Sequence, residues 1–384
     1  TKEKPAKDLG NIAKKLEPGD VVHVAEGTYL GRAKAGSTTL FVPVSIIGGY
    51  SDDFSKRDPW GAHRTILSGQ NPSKNYTSDP TLFIDLMKYQ GPNHPIVVDG
   101  LIVDLGGRNH YKSEAQAKLM PKASPKTGMN PSPSLGALVV RVSKSEKFDR
   151  GPRWDITVRN NIIINAYTNQ GALSVSAFKG SKVKIHNNLV AQHSGHGIFV
   201  GSKFAGSADF PQFDVAHNTV VFSWDSGFSQ GFNIGFDRST TAVVRNNVFA
   251  FADLYAIWNG YKSEGITLVD NLITGGRKGD LLEFDTVIAV EDLEDEAEYL
   301  GEDTEDNVSE KIALPVSKDF ATVYGSRVVV DREKLEADIQ ATNSDANALR
   351  SMLGLPLRAG SVSWPKIEVF INRLSVDDAV ALAR

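Results

Sequence analysis

Cysteine is absent from this 384-residue chain, so disulfide bonds and thiolate metal sites are excluded. A fold with a large core of its own needs no covalent staples, so this absence leaves the compartment open. Apolar residues make up 41% of the sequence. Even so, no run of about 18 uninterrupted apolar residues occurs, and no membrane span is expected. Positive charge is missing from one stretch: no Lys or Arg falls between Gly279 and Glu310. Residues 283–310 concentrate 13 of the 46 acids, leaving 33 acids against 42 basic residues, a balance of +9, elsewhere. A basic body with an acidic insert suits a polyanionic partner such as an acidic polysaccharide or oligosaccharide. Nucleic acid carries the same charge, but no nucleic-acid motif or arginine-rich helix is present, and it is not expected as a partner. A solvated surface with one acidic loop is the plainer reading of the same charges.

What the chain does have is one phrase repeated five times. It reads Val158-Arg159-Asn160-Asn161-Ile162-Ile163, then Ile185-His186-Asn187-Asn188-Leu189-Val190 and Val215-Ala216-His217-Asn218-Thr219-Val220. Val244-Arg245-Asn246-Asn247-Val248-Phe249 and Leu268-Val269-Asp270-Asn271-Leu272-Ile273 complete the series. Asn161, Asn188, Asn218, Asn247 and Asn271 recur at intervals of 27, 30, 29 and 24 residues. A period of this length, built from short β-branched runs, marks a stacked solenoid in which each repeat rests on its neighbours. Each copy predicts two strands meeting at a bend. The asparagine tolerates the left-handed backbone a tight bend needs, and its amide can bond its equivalent one layer away.

Residues 5–17 read as a short amphipathic helix, with Leu9, Ile12, Ala13 and Leu16 on one side, ended by Pro18-Gly19-Asp20. Placed before the first strand, it would cover the open end of the stack. Strands are expected at 21–29, 44–47, 65–67, 82–86 and 96–103. Residues 108–135, with Lys112, Lys118, Lys122, Lys126 and four prolines, break the pattern as a long insertion. The domain reading is a solenoid over 1–276 with its N-terminal cap, then an acidic loop and closing segment over 277–384. Within the latter, 331–353 reads as helix, and 361–384 as the closure of the far end.

The phrases Pro18-Gly19-Asp20-Val21-Val22-His23-Val24, Gly27-Thr28-Tyr29, Ile46-Ile47-Gly48-Gly49-Tyr50-Ser51, Arg57-Asp58-Pro59 and Thr65-Ile66-Leu67-Ser68-Gly69 resemble the first coils of bacterial secreted β-helix proteins. With the asparagine repeats, they make the chain similar to the right-handed parallel β-helix of the pectate-lyase-like superfamily over about residues 1–276. The resemblance implies an all-β solenoid and a secreted, periplasmic or cell-surface location. A start at Thr1 fits a mature or trimmed form of an exported protein. The superfamily spans lyases, hydrolases, epimerases and non-catalytic adhesins, so it implies fold more strongly than chemistry.

In that superfamily the substrate usually lies along one outer sheet. The strands between the bends are aligned here as 172–176, 197–201, 231–235 and 256–259, with Val175, Val200, Ile234 and Trp258 inward. Beyond them lie Phe178-Lys179, Lys203-Phe204, Asp237-Arg238 and Tyr261-Lys262, a basic stripe interleaved with aromatic rings. With Tyr255, these are candidates for binding acidic sugars. Breaking a uronic-acid polymer by β-elimination requires neutralising the carboxylate, taking the C5 proton and protonating the leaving oxygen. His193, His196, Lys203, Arg238 and Tyr261 supply those residue types, and Asp225 and Asp237 could orient a base or hold a cation. Ser194-Gly195-His196-Gly197 resembles the Gly-His-Gly motif of polygalacturonases, but the preceding coil offers Thr168-Asn169-Gln170-Gly171 and no aspartate pair for hydrolysis. Each histidine also has a plain reading as a turn residue. No residue is assigned as a metal ligand. The acidic run leaves Ca²⁺ open as a cofactor, although it lacks the glycine spacing of known calcium loops. Polysaccharide lyase is the leading reading; glycoside hydrolase and a non-catalytic adhesion module are the alternatives.

Overall fold

The computed structural model describes residues 5–31, 36–69, 79–104, 136–142, 153–166, 168, 170–178, 180–202, 210–224, 230–238, 240–252, 254–276 and 278–309. The expected insertion at 108–135, the helix at 331–353 and the closing tail at 361–384 lie outside these residues.

Parallel strands stacked into three long sheets make up most of the described chain, an all-β arrangement consistent with a β-helix solenoid. Numbered along the chain, sheet A holds β1 (Val21–Ala25), β4 (Ser45–Tyr50), β7 (Ile96–Asp99), β10 (Asp155–Arg159), β13 (Lys182–His186), β15 (Gln212–Ala216), β18 (Thr241–Arg245) and β21 (Gly265–Val269). Sheet B follows each of these with β2 (Gly27–Tyr29), β5 (Thr65–Leu67), β8 (Leu101–Asp104), β11 (Ile162–Ala166), the first half of β14 (Leu189–Gly201), β16 (Thr219–Trp224), β19 (Val248–Ala252) and β22 (Leu272–Thr274). Sheet C completes each turn with β3 (Thr38–Leu40), β6 (Leu82–Asp85), β9 (Leu138–Arg141), β12 (Gly171–Ser176), the second half of β14, β17 (Gly231–Phe236), β20 (Tyr255–Asn259) and β23 (Gly279–Glu283). An antiparallel strand, β24 (Thr286–Ile288), pairs with β23.

The core repeats once per turn. In sheet A, Val98, Val158, Ile185, Val215, Val244 and Leu268 stack in register, and in sheet C so do Leu138, Leu173, Ile198, Ile234, Ile257 and Leu281. All twelve are fully buried. Removing each such side chain from water stabilises the stack by about 1.5–3 kcal/mol before chain entropy is counted.

The asparagine ladder forms as the repeat predicts. Asn161, Asn188, Asn218 and Asn247 each donate from Nδ2 to Oδ1 of the next asparagine, at 2.9–3.0 Å. Each Nδ2 also donates to a strand carbonyl of the preceding turn, such as Val158 for Asn188 and Ile185 for Asn218. The left-handed residue, however, is the one before each ladder asparagine: Asn160, Asn187, His217, Asn246 and Asp270 all have φ between 52° and 56°. The division is physical. One residue turns the backbone, and the next is thereby aimed inward, where its amide must be fully bonded.

Other expectations shift. The single strand expected over 96–103 is two, broken by Gly100, whose φ of +73° turns the chain from sheet A into sheet B. The N-terminal helix covers only α1 (Leu9–Ile12); the Asp8 side chain caps it at Gly10 and also accepts from the Gly31 N–H. Leu9 enters the core, and Ile12, Ala13 and Leu16 pack against it. The Arg57-Asp58-Pro59 phrase has a bracing role: Arg57 and Arg159 both bind the buried Asp99 carboxylate, and the Trp60 indole N–H donates to the Asn160 carbonyl. Among the described residues, no helix is long and apolar enough to cross a membrane.

Residue 276 does not end the stack. A short helix, α2 (Leu293–Glu296), lies in the acidic segment, and Leu300, Glu305 and Val308 then make parallel bridges to Ile266, Val269 and Leu272. Asp306 is left-handed with φ 55°, and Asn307 accepts from Asn271 Nδ2 at 2.9 Å, a sixth rung of the ladder. The acids are tolerated because Glu291, Asp292, Glu294, Asp295 and Glu296 face solvent, while Val290 and Leu293 supply the buried contacts.

Candidate functional site: an aromatic face on sheet C

Side chains on the outer face of sheet C converge where β14, β17 and β20 lie side by side. The Gly-His-Gly motif begins this arrangement. Gly195 has φ +77°, and a Cβ there would lie 2.8 Å from the Gln170 carbonyl oxygen and 2.9 Å from that of Thr168. Gly197 faces the interior, where a Cβ would meet Val220 at 2.2 Å and His193 Nε2 at 2.8 Å. Both glycines are therefore required by turn and packing geometry.

Between them His196 turns outward and lies over Gly235, whose Cβ, if present, would sit 2.3 Å from His196 Nδ1. The imidazole stacks on Phe232 at 5.0 Å and contacts Phe199 at 4.9 Å and Trp258 at 5.1 Å between ring centroids. It is 2% exposed, and among the described residues its Nδ1 has no hydrogen-bond partner. Burial, with His193 as a lesser cause, lowers its pKa to about 3, so the ring is neutral at physiological pH. His193 lies on the other side of the sheet, fully buried, in register with Ala166 and Ser223. There the Ser223 hydroxyl donates to Asn233 Oδ1 at 2.7 Å.

Trp258 corrects the sequence alignment by one position. Ile257, not Trp258, pairs with Ile234 and points inward, while Trp258 pairs with Gly235 and faces out. Its indole lies across Gly260, where a Cβ would approach three indole atoms to 2.4 Å. Tyr255 stacks parallel to Phe232 at 6.1 Å, and Tyr261 meets Trp258 edge-on at 5.0 Å. The Arg238 guanidinium sits 4.8 Å above the Tyr261 ring. Asp237 steadies that turn: its carboxylate accepts from the Arg238 N–H, and its carbonyl oxygen accepts from Ser263 and Thr240. Phe199 and Phe232 form a buried floor, and Trp258, Tyr255, Tyr261 and Arg238 reach solvent. Among the described residues, the Tyr255 and Tyr261 hydroxyls and the Trp258 indole N–H have no hydrogen-bond partner.

The structure thus brings together His196, Arg238, Tyr255 and Tyr261 from the residues read off the sequence, with Asp237 beside them. Phe178 does not join them; it is 4% exposed and belongs to the core. Lys262 turns away, because its φ of 54° sends the ammonium toward the acidic coil. There it donates to the Tyr299 hydroxyl at 3.0 Å and lies 4.3 Å from the Phe284 ring centroid. That hydrogen bond is the main reason its pKa is raised. Lys179, Lys203, Phe204 and Asp225 lie outside the described residues. Phe199 and Phe232 were missed from sequence. A signal existed for Phe199 alone: Gly171, where a Cβ would meet Phe199, and Gly235, which pairs with Phe199 and leaves room for the His196 ring.

Among the described residues, no three His, Asp or Glu side chains converge as a metal ion would require. Glu283, the buried carboxylate at the start of the acidic segment, spends its oxygens on the N–H groups of Glu298 and Tyr299. No family model, curated protein or solved structure matches the chain.

Proposed function

We propose that the protein binds an acidic polysaccharide along the outer face of sheet C and cleaves it by β-elimination. In this reading it is a polysaccharide lyase built on a right-handed β-helix of the pectate-lyase-like kind, working outside the cytoplasm. The supporting observation is the packing of Arg238 over Tyr261 and of Tyr261 against Trp258. Rings of this kind stack on the apolar faces of sugars while their polar edges bond hydroxyls. Arg238, beside them, would neutralise a uronate carboxylate and stabilise the enolate formed when the C5 proton leaves. Tyr261, with an uncommitted hydroxyl next to that cation, is the described group best placed to move a proton. His196 fits the floor of the site better than the role of base, since a buried ring held neutral gains little by protonation.

A non-catalytic binding role is the second reading, favoured by the burial of both histidines. Incubation with pectate, alginate, glycosaminoglycans and neutral glucans separates the readings. Lyase action produces unsaturated chain ends, and Tyr261→Phe should lower the rate about 100-fold or more. New reducing ends without unsaturation would replace elimination with hydrolysis, with Asp225 and Asp237 as its carboxylates. Binding with no new ends would leave only the adhesion role.

A further inference from the structure

We infer that the ligand is a sparsely charged heteropolysaccharide, in which uncharged sugars rest on Trp258 and Tyr255 while an acidic sugar sits at Arg238. The inference rests on the proposed polysaccharide binding and specifies its chemistry. The open part of the face is a run of partly exposed rings, Tyr255, Trp258 and Tyr261, on a floor of Phe232 and Phe199. Among the described residues, no Lys or Arg lies over the Trp258 or Tyr255 ring, and Arg238 covers only Tyr261. Lys262, a neighbouring cation, is engaged with Tyr299 and Phe284. His196, beneath Trp258, adds no charge.

A polymer with a carboxylate on every sugar would press anions against ring faces that are themselves electron-rich. It would also desolvate those anions over rings that no described cation covers, which is unfavourable. Uncharged sugars meet neither obstacle. Their hydroxyls instead find the Tyr255 and Tyr261 hydroxyls and the Trp258 N–H, which are available as partners.

The test is a tryptophan-fluorescence titration of the full chain with three polymers at low and high salt. The polymers are polygalacturonate, charged on every sugar; hyaluronan, charged on every second sugar; and laminarin, an uncharged glucan. Hyaluronan is expected to bind at least about tenfold more tightly than polygalacturonate per binding site. Its affinity should fall less than about threefold on adding salt, because stacking is not screened. Arg238→Ala, with an unchanged melting temperature, should reduce hyaluronan binding to the level of laminarin. Tighter binding of polygalacturonate, or a steep salt dependence for hyaluronan, overturns the inference and leaves polysaccharide binding standing. No binding to any of the three overturns the proposed function as well.

Discussion

Asn218 shows how much a single side chain can carry in this molecule. Its amide accepts from the Asn188 N–H and Nδ2, and donates to Asn247, Ile185 and Ala216. Replacing it with alanine leaves several of these buried groups unpaired, at about 1–3 kcal/mol for each that finds no other partner. Asn218→Ala should therefore lose about 3 kcal/mol or more in urea unfolding, whereas His217→Gly, which relieves a left-handed residue, should change stability little. Equal effects at the two positions would mean that the ladder is not what holds the bend. His196 makes a second prediction at this scale. Its pKa in the fold is about 3, against 6.5 as the ordinary value. The unfolded chain therefore binds a proton first as pH falls, and stability conferred by the neutral ring is lost downward from about pH 6.5. The slope approaches about 1.4 kcal/mol per pH unit in the range between the two values. His196→Phe keeps the ring stack without the titration. Its unfolding midpoint should fall less than that of the wild type between pH 7 and pH 5, and parallel curves would contradict the buried, neutral ring.

At the scale of the element, the strands of sheet C present rings only because glycines make space for them. Gly260 is the sharpest case, since a methyl group there would displace the Trp258 indole. Gly260→Ala should shift the tryptophan emission and weaken glycan binding about tenfold, equivalent to losing one aromatic contact of about 1.4 kcal/mol. Unchanged emission and affinity would show that the indole is not fixed from below. This element also shows why part of the site could not be read in advance. Alternation alone put Trp258 inward with Ile234, because the Ala256-Ile257-Trp258-Asn259 phrase fits either register. Only pairing with its neighbours selects Ile257 for the core. Lys262 was misplaced for a different reason: its left-handed backbone has no signature in sequence at a lysine.

For the whole molecule, stability is propagated from turn to turn, so damage should stay local. The last described turn is tied on by three bridges and by Asn307. Asn307→Ala should raise amide exchange in β21, β22 and the acidic coil while leaving β10, β13 and β15 protected. Uniform loss of protection would indicate a single cooperative unit instead. The acidic coil also shows how composition misleads at this scale. Thirteen acids without a basic residue resemble a solvated loop, yet a few buried apolar residues and one asparagine suffice to lay the segment on the stack, since its described carboxylates face water except that of Glu283, which backbone N–H groups satisfy.

By itself the sequence determined the stacked parallel architecture, the asparagine ladder and the strands that carry the repeat. These follow from local rules: a period near 27 residues, β-branched alternation, and an amide that must be paired when buried. It did not determine which rings face outward, that the stack continues past residue 276, or that Arg238 and Lys262, both placed on one stripe, turn to different partners. Those outcomes depend on register between strands some 25 residues apart and on backbone turns at single residues. A shift of one position exchanges core for surface, and only the packed neighbours settle which is lower in energy.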